Sequence, residues 1–148
     1  KNQISCIGKS LYFTSRVIQG IYPDYEQILP KTHTTEVTLL KEDLVNNLKL
    51  STFFSDKFNK VTLTINPQKK ICVISTKNIE VGETESNIDA MLTGDPVEIS
   101  LNGIHLFDFL SVIEIDSVLI QFIGADKPVV IRGLGDNSFT YLTMPLTR

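Results

Sequence analysis

The chain has 148 residues, with 14 basic side chains against 17 acidic ones and a net charge of −3. That length fits one domain, or one domain plus an attached piece, and 42% hydrophobic against 21% charged residues excludes a disordered chain. No apolar run reaches the roughly 20 residues needed to span a bilayer, Lys1-Asn2-Gln3-Ile4-Ser5 does not open a signal peptide, and mild acidity argues against coating nucleic acid by bulk charge, so a cytoplasmic globular domain is expected.

Residues 3–18 read as a two-stranded pattern, with one strand predicted over 10–18. From Gly20 to Pro30 the chain is predicted to run extended or turned, because Pro23 and Pro30 disfavour helix at Tyr22 and Leu29. Two tyrosines, Ile28 and Leu29 make this stretch too apolar for a tether, so it is expected to pack between two units. A lone hairpin is marginally stable in water, so the first 30 residues are expected to be the tail of a preceding domain.

Strands are then predicted at 34–39, 61–65, 70–76, 78–84, 88–93, 97–101, 116–123, 128–132 and 138–144. Turn chemistry separates them at Asn66-Pro67-Gln68, Gly94-Asp95-Pro96, Gly124-Ala125-Asp126 and Gly133-Leu134-Gly135-Asp136-Asn137, which implies antiparallel sheet. Two stretches carry helical spacing instead. Lys41 to Lys49 has apolar positions at 40, 44 and 48 with acids in its first turn, and 102–113 is a more apolar helix with Asn102 as its N-cap. On the first helix Glu42, Asn46 and Lys49 share the outer side, and Leu50 and Phe53 fall near it, where large apolar groups need a cover. The fold class is α+β.

No catalytic or metal chemistry is legible. Cys6 and Cys72 sit in strand-like runs without CxxC spacing and read as reduced, small apolar side chains, while His33 and His105 lie far apart. Gly8-Lys9-Ser10 lacks the earlier glycine of a phosphate loop, since Gln3 stands there, and it precedes a strand where a helix is required. The acids Glu80, Glu83, Glu85, Glu98 and Glu114 are scattered. An enzyme is therefore not expected, and neither is a cofactor.

The segment Phe13-Thr14-Ser15-Arg16-Val17-Ile18-Gln19-Gly20-Ile21-Tyr22-Pro23-Asp24-Tyr25-Glu26-Gln27-Ile28-Leu29-Pro30 resembles the junction before the last domain of the bacterial sliding clamps, the beta subunits of DNA polymerase III. The ending Tyr141-Leu142-Thr143-Met144-Pro145-Leu146-Thr147-Arg148 is similar to that family's closing motif, and Gly94-Asp95-Pro96-Val97-Glu98-Ile99-Ser100-Leu101-Asn102 to an internal one. The resemblance implies a DNA-clamp fold, with antiparallel sheets outside and two short helices on the inner face. It implies the last strands of a middle clamp domain plus the interdomain linker in residues 1–30, a complete C-terminal clamp domain in 31–148, and hence a fragment of a ring subunit.

As a function it implies a non-catalytic processivity factor of the replicative polymerase, a homodimeric ring around double-stranded DNA in the full-length protein. Polymerase, clamp loader and repair polymerases would dock through Gln-Leu-x-Leu-Phe-type peptides. The implied groove walls are Pro23, Gln27, Ile28, Asn102, His105, Pro128, Leu142, Thr143, Met144, Pro145 and Leu146. Lys41, Asn46 and Lys49 would face DNA, and Leu50, Phe53 and Phe54 would meet a neighbouring subunit. Each has a plainer alternative: an edge strand ending at Met144-Pro145-Leu146, a solvated helix face, and a phenylalanine turned into its own core. Gln27 stands where many members carry Arg, His105 where Tyr is frequent, and the chain closes Leu-Thr-Arg instead of Met-Arg-Leu, which implies a shifted peptide preference. The competing reading is a non-catalytic β-rich domain for single-stranded nucleic acid or for protein interaction. The former needs exposed aromatics interleaved with basic residues.

Overall fold

The computed structural model describes residues 2–146. Thr147 and Arg148 of the closing motif lie outside the described residues. The first two strands, β1 (Gln3–Ile7) and β2 (Tyr12–Arg16), pair only with each other. Their apolar side chains are exposed, Ile4, Ile7, Leu11 and Phe13 among them. The following stretch holds one 3-10 turn at Tyr25–Gln27, where Asp24 Oδ1 accepts from Glu26 N. The expected packing of this stretch is found only at its end: Ile21, Tyr22, Tyr25 and Ile28 are exposed, and Leu29 and Pro30 are half-buried.

The rest is a two-sheet sandwich with two helices. Strands β3 (Thr35–Leu40), β7 (Ala90–Gly94), β9 (Ser117–Phe122), β10 (Val129–Gly133) and β11 (Thr140–Thr143) form a five-stranded antiparallel sheet, in spatial order β11-β10-β9-β3-β7. Strands β4 (Lys60–Asn66), β5 (Ile71–Asn78), β6 (Gly82–Asn87) and β8 (Val97–Asn102) form a four-stranded one in order β6-β5-β4-β8. Helix α1 (Lys41–Phe53) follows β3 and α2 (Gly103–Val112) follows β8. Period-2 alternation explains the burial: Val61, Leu63 and Ile65 of β4, and Val118, Ile120 and Phe122 of β9, all point into one core. Leu44 and Leu48 of α1 and Leu106, Phe109 and Leu110 of α2 complete it.

Two expectations need correction. The α1 stripe is Leu44, Leu48 and Ser51, because Leu40 is the exposed N-cap residue; it offers no side-chain cap, and Lys41 N donates to Asp116 O instead. The strand expected at 78–84 is split: Asn78 ends β5, residues 79–81 form a turn, and residues 82–84 open β6. Asn78 Oδ1 accepts from Glu80 N at 2.9 Å, and that local bond competes with a ladder.

Two glycines permit close approach. At Gly94 φ is +97°, and a Cβ would stand 1.9 Å from Thr34 O. At Gly103 a Cβ would stand 2.8 Å from Val61 Cγ2, so any larger residue would push the start of α2 off β4.

Candidate functional site

The last strand is held from its inner side. Tyr141 stacks on Phe109 of α2, with ring centroids 5.1 Å apart, and Thr143 is buried opposite Val129 of β10. Alternation then turns Leu142 outward, opposite Val130. Beyond β11 the tail leaves the five-stranded sheet and reaches the β8 edge of the other, where Leu146 N donates to Ser100 O at 2.8 Å. Between those two anchorages Met144 is 57% exposed and Pro145 half-buried. The tail is thus fixed at both ends while Met144 stays exposed between them.

Pro128 begins the same face. The β10–β11 register pairs Val129 with Thr143 and Val130 with Leu142, and Pro128 precedes the first pair on one strand as Met144 follows it on the other. The linker meets this face at a cavity of about 350 Å³, where Leu29 and Pro30 join Val130, Arg132 and Thr140 of β10 and β11. Upstream, Pro23 and Ile28 are exposed, and Gln27 Nε2 donates to Asp24 Oδ2 at 2.9 Å.

Asn102 and His105 occupy the corner where β8 becomes α2, Asn102 lying two residues past Ser100, whose carbonyl receives Leu146. The Asn102 side chain caps α2: its Oδ1 accepts from Ile104 N at 2.9 Å and His105 N at 3.3 Å, and its Nδ2 donates to Phe58 O. His105 projects outward from the first turn. The expected groove residues thus fall into three groups (linker, β10–β11 face, β8–α2 corner), and the tail connects the last two. Thr143, expected on the groove wall, has its side chain buried, since the pleat that turns Leu142 outward turns it inward.

Elsewhere on the domain Asn46 and Lys49 are exposed on α1, whereas Lys41 is half-buried and its Nζ donates to Ile113 O, at the end of α2. Phe53 is 74% exposed and Leu50 also exposed, near the end of α1, while the half-buried Phe54 lies against Gly82 of β6.

Two ionisable groups are shifted. Burial pushes the Cys72 thiol up to about 11, while Cys6 is exposed, so the expectation of two apolar, core-type cysteines holds for Cys72 alone. Hydrogen bonds from Ser138 hold the Asp136 carboxyl below its ordinary value in the β10–β11 turn. Among the described residues no group of three or more His, Cys, Asp or Glu side chains could hold a metal ion, and no helix is long and apolar enough to cross a membrane.

Three residues beside the groove escaped the sequence reading: Gln121, Val130 and Arg132. The signal for the last two was available, because strand pleating puts 128, 130 and 132 on the face opposite Val129 and Ile131, although Val130 is itself covered. Gln121 became visible only through strand pairing.

The chain is similar in sequence and fold to known proteins. The beta sliding clamp of Synechococcus elongatus is 29% identical over 136 residues, which is 91% of this chain and 36% of that protein. The crystal structure of the DNA polymerase sliding clamp from Bacillus subtilis superposes with a TM-score of 0.91 at 25% identity, covering 100% of this chain and 40% of that one. The DNA polymerase III beta subunit from Thermotoga maritima gives 0.90 at 22%, covering 99% and 40%. The chain therefore spans about two fifths of the length of these relatives. A family profile described as DNA polymerase III beta subunit, C-terminal domain, matches residues 26–147, four fifths of the sequence, and the chain belongs to that family.

Proposed function

We propose that this chain is the partner-docking, C-terminal part of a replicative processivity clamp, a topological tether with no catalysis of its own. The observation that carries the reading is the apolar line of half-buried Pro128 and Leu142 and exposed Met144, laid over the covered Val130 and adjoining the linker residues Leu29 and Pro30. Each apolar anchor of a Gln-Leu-x-Leu-Phe-type peptide contributes about 1.5–3 kcal/mol when fully buried. Met144 supplies a flexible thioether that adapts to differing partners. Replicative polymerase, clamp loader and repair polymerases are the proposed peptide donors, in the cytoplasm.

In this reading residues 1–30 are the last strands of a middle clamp domain and the linker, and 31–148 the C-terminal domain. The hairpin's exposed apolar side chains and a profile match that starts at residue 26 support that division. Leu50 and Phe53 (with Phe54 supporting from behind) form the surface for a second subunit, in a homodimeric ring. Asn46 and Lys49 face the encircled duplex. With so few cations the DNA attraction is weak, nonspecific and salt-sensitive, which suits a ring that holds by closure and slides. Lys41 contributes less, because its ammonium is already held by the Ile113 carbonyl.

The test is a fluorescence-anisotropy titration of the chain with a labelled Gln-Leu-x-Leu-Phe peptide. Saturable binding, competed by unlabelled peptide and not by a version with both leucines and the phenylalanine changed to alanine, is expected. Absence of competition would overturn the reading.

A further inference from the structure

The cavity beside the groove holds a charge that the apolar docking surface does not use. Arg132 is half-buried on the outer face of β10, opposite Thr140. Its Nη2 donates to Gln121 Oε1 at 3.2 Å, and among the described residues it has no carboxylate partner.

Gln121 is itself fixed. Its Nε2 donates to Glu36 Oε1 at 2.6 Å and lies 3.3 Å from His33 Nδ1, while His33 Nε2 lies 2.8 Å from the same Glu36 oxygen. Glu36 is thus engaged by Gln121 and His33 rather than by Arg132. The chain of bonds aims the guanidinium and leaves its other donors open. Lys31, Thr32 and Thr140 line the same cavity, whose lining contains no acidic residue.

The cavity is continuous with the groove. Leu142 and Thr140 are two residues apart on one strand, about 7 Å at the rise of a strand. Their partners Val130 and Arg132 keep the same spacing.

We propose that this cavity is a carboxylate-reading extension of the docking groove: Arg132, aimed by Gln121, receives an Asp or Glu side chain of the partner peptide lying within two residues of the anchor over Leu142. This rests on the groove reading above. A guanidinium matches a carboxylate with paired hydrogen bonds, and partial burial strengthens the contact. Lys31 at the rim adds attraction but no fixed geometry.

The experiment compares neutral Gln-Leu-x-Leu-Phe peptides with versions carrying Glu one or two residues beyond either end, on the unaltered chain and on Arg132→Gln and Arg132→Lys, with circular dichroism melting as the folding control. The expected result is a 5- to 10-fold tighter Kd for one acidic version, on the order of a charged hydrogen-bonded contact. That gain disappears in Arg132→Gln and is partly kept in Arg132→Lys, while the neutral peptide binds all three proteins alike. If the neutral peptide binds but no acidic version gains, or if the gain survives Arg132→Gln, the extension is wrong and the groove stands. If the neutral peptide itself fails to bind, the groove falls and the extension with it.

Discussion

Met144→Ala separates binding from folding most cleanly. The side chain is 57% exposed and lies between two anchorages that it does not make: the Tyr141–Phe109 stack and the Leu146 N to Ser100 O hydrogen bond. Truncating a side chain so exposed changes stability by no more than about 0.5 kcal/mol. Docking is another matter, because the change removes Cγ, Sδ and Cε from the peptide contact. At roughly 0.8 kcal/mol per buried methylene-sized group, full burial of all three gives an upper bound near 2.4 kcal/mol, so a loss of about 1.5–2.4 kcal/mol, or 10- to 60-fold in Kd, is expected. Met144→Leu, close in volume, should stay within about 3-fold of the original. The assay is the anisotropy titration, with urea unfolding alongside. An unchanged Kd in a stably folded Met144→Ala protein would refute the placement of the groove on this face.

Asn102→Ala should lower stability by about 1 kcal/mol, a melting shift of roughly 3–5 °C, because two N–H groups of α2 lose their acceptor. Asn102→Asp retains the acceptor and should recover most of that, and an equal loss in both variants would contradict the capping assignment. Ellman's reagent at pH 8 should titrate one thiol in the native protein and two in denaturant, since Cys6 is exposed and Cys72 buried. The raised Cys72 pKa also carries a sign. The unfolded thiol ionises near 9.0 and the folded one at about 11, so stability is unaffected below pH 9 and falls as pH rises toward 11. Urea midpoints measured across that window should fall less in Cys72→Ala; an identical decline in both proteins would rule Cys72 out as the source.

Much of the fold was legible because the two periods are strong here. Val61-Thr62-Leu63-Thr64-Ile65 alternates and is β4, and Asn102 capped α2 as its residue type predicted. Errors fell where a local hydrogen bond or a boundary residue outweighed the pattern. Asn78 broke a predicted strand with a turn at residues 79–81, and Leu40 left the α1 stripe for the N-cap position. The site was legible only in part. Motif resemblance brought forward the linker and the tail, yet it treated Leu142, Thr143 and Met144 as equals.

Composition, periodicity and end motifs by themselves determined an α+β, antiparallel chain and its family resemblance, since those depend on residue order along single elements. Tertiary structure alone decided which side chains of the last strand face outward, because facing is set by pairing across strands. The Val129–Thr143 register buries one side of β11 and exposes the other. It likewise decided that Lys41 is engaged by α2, that Phe53 is exposed while Phe54 lies against Gly82, and that Glu36, Gln121 and Arg132 meet. Those last three residues come from three different strands, 85 and 11 positions apart, and no local pattern could have joined them.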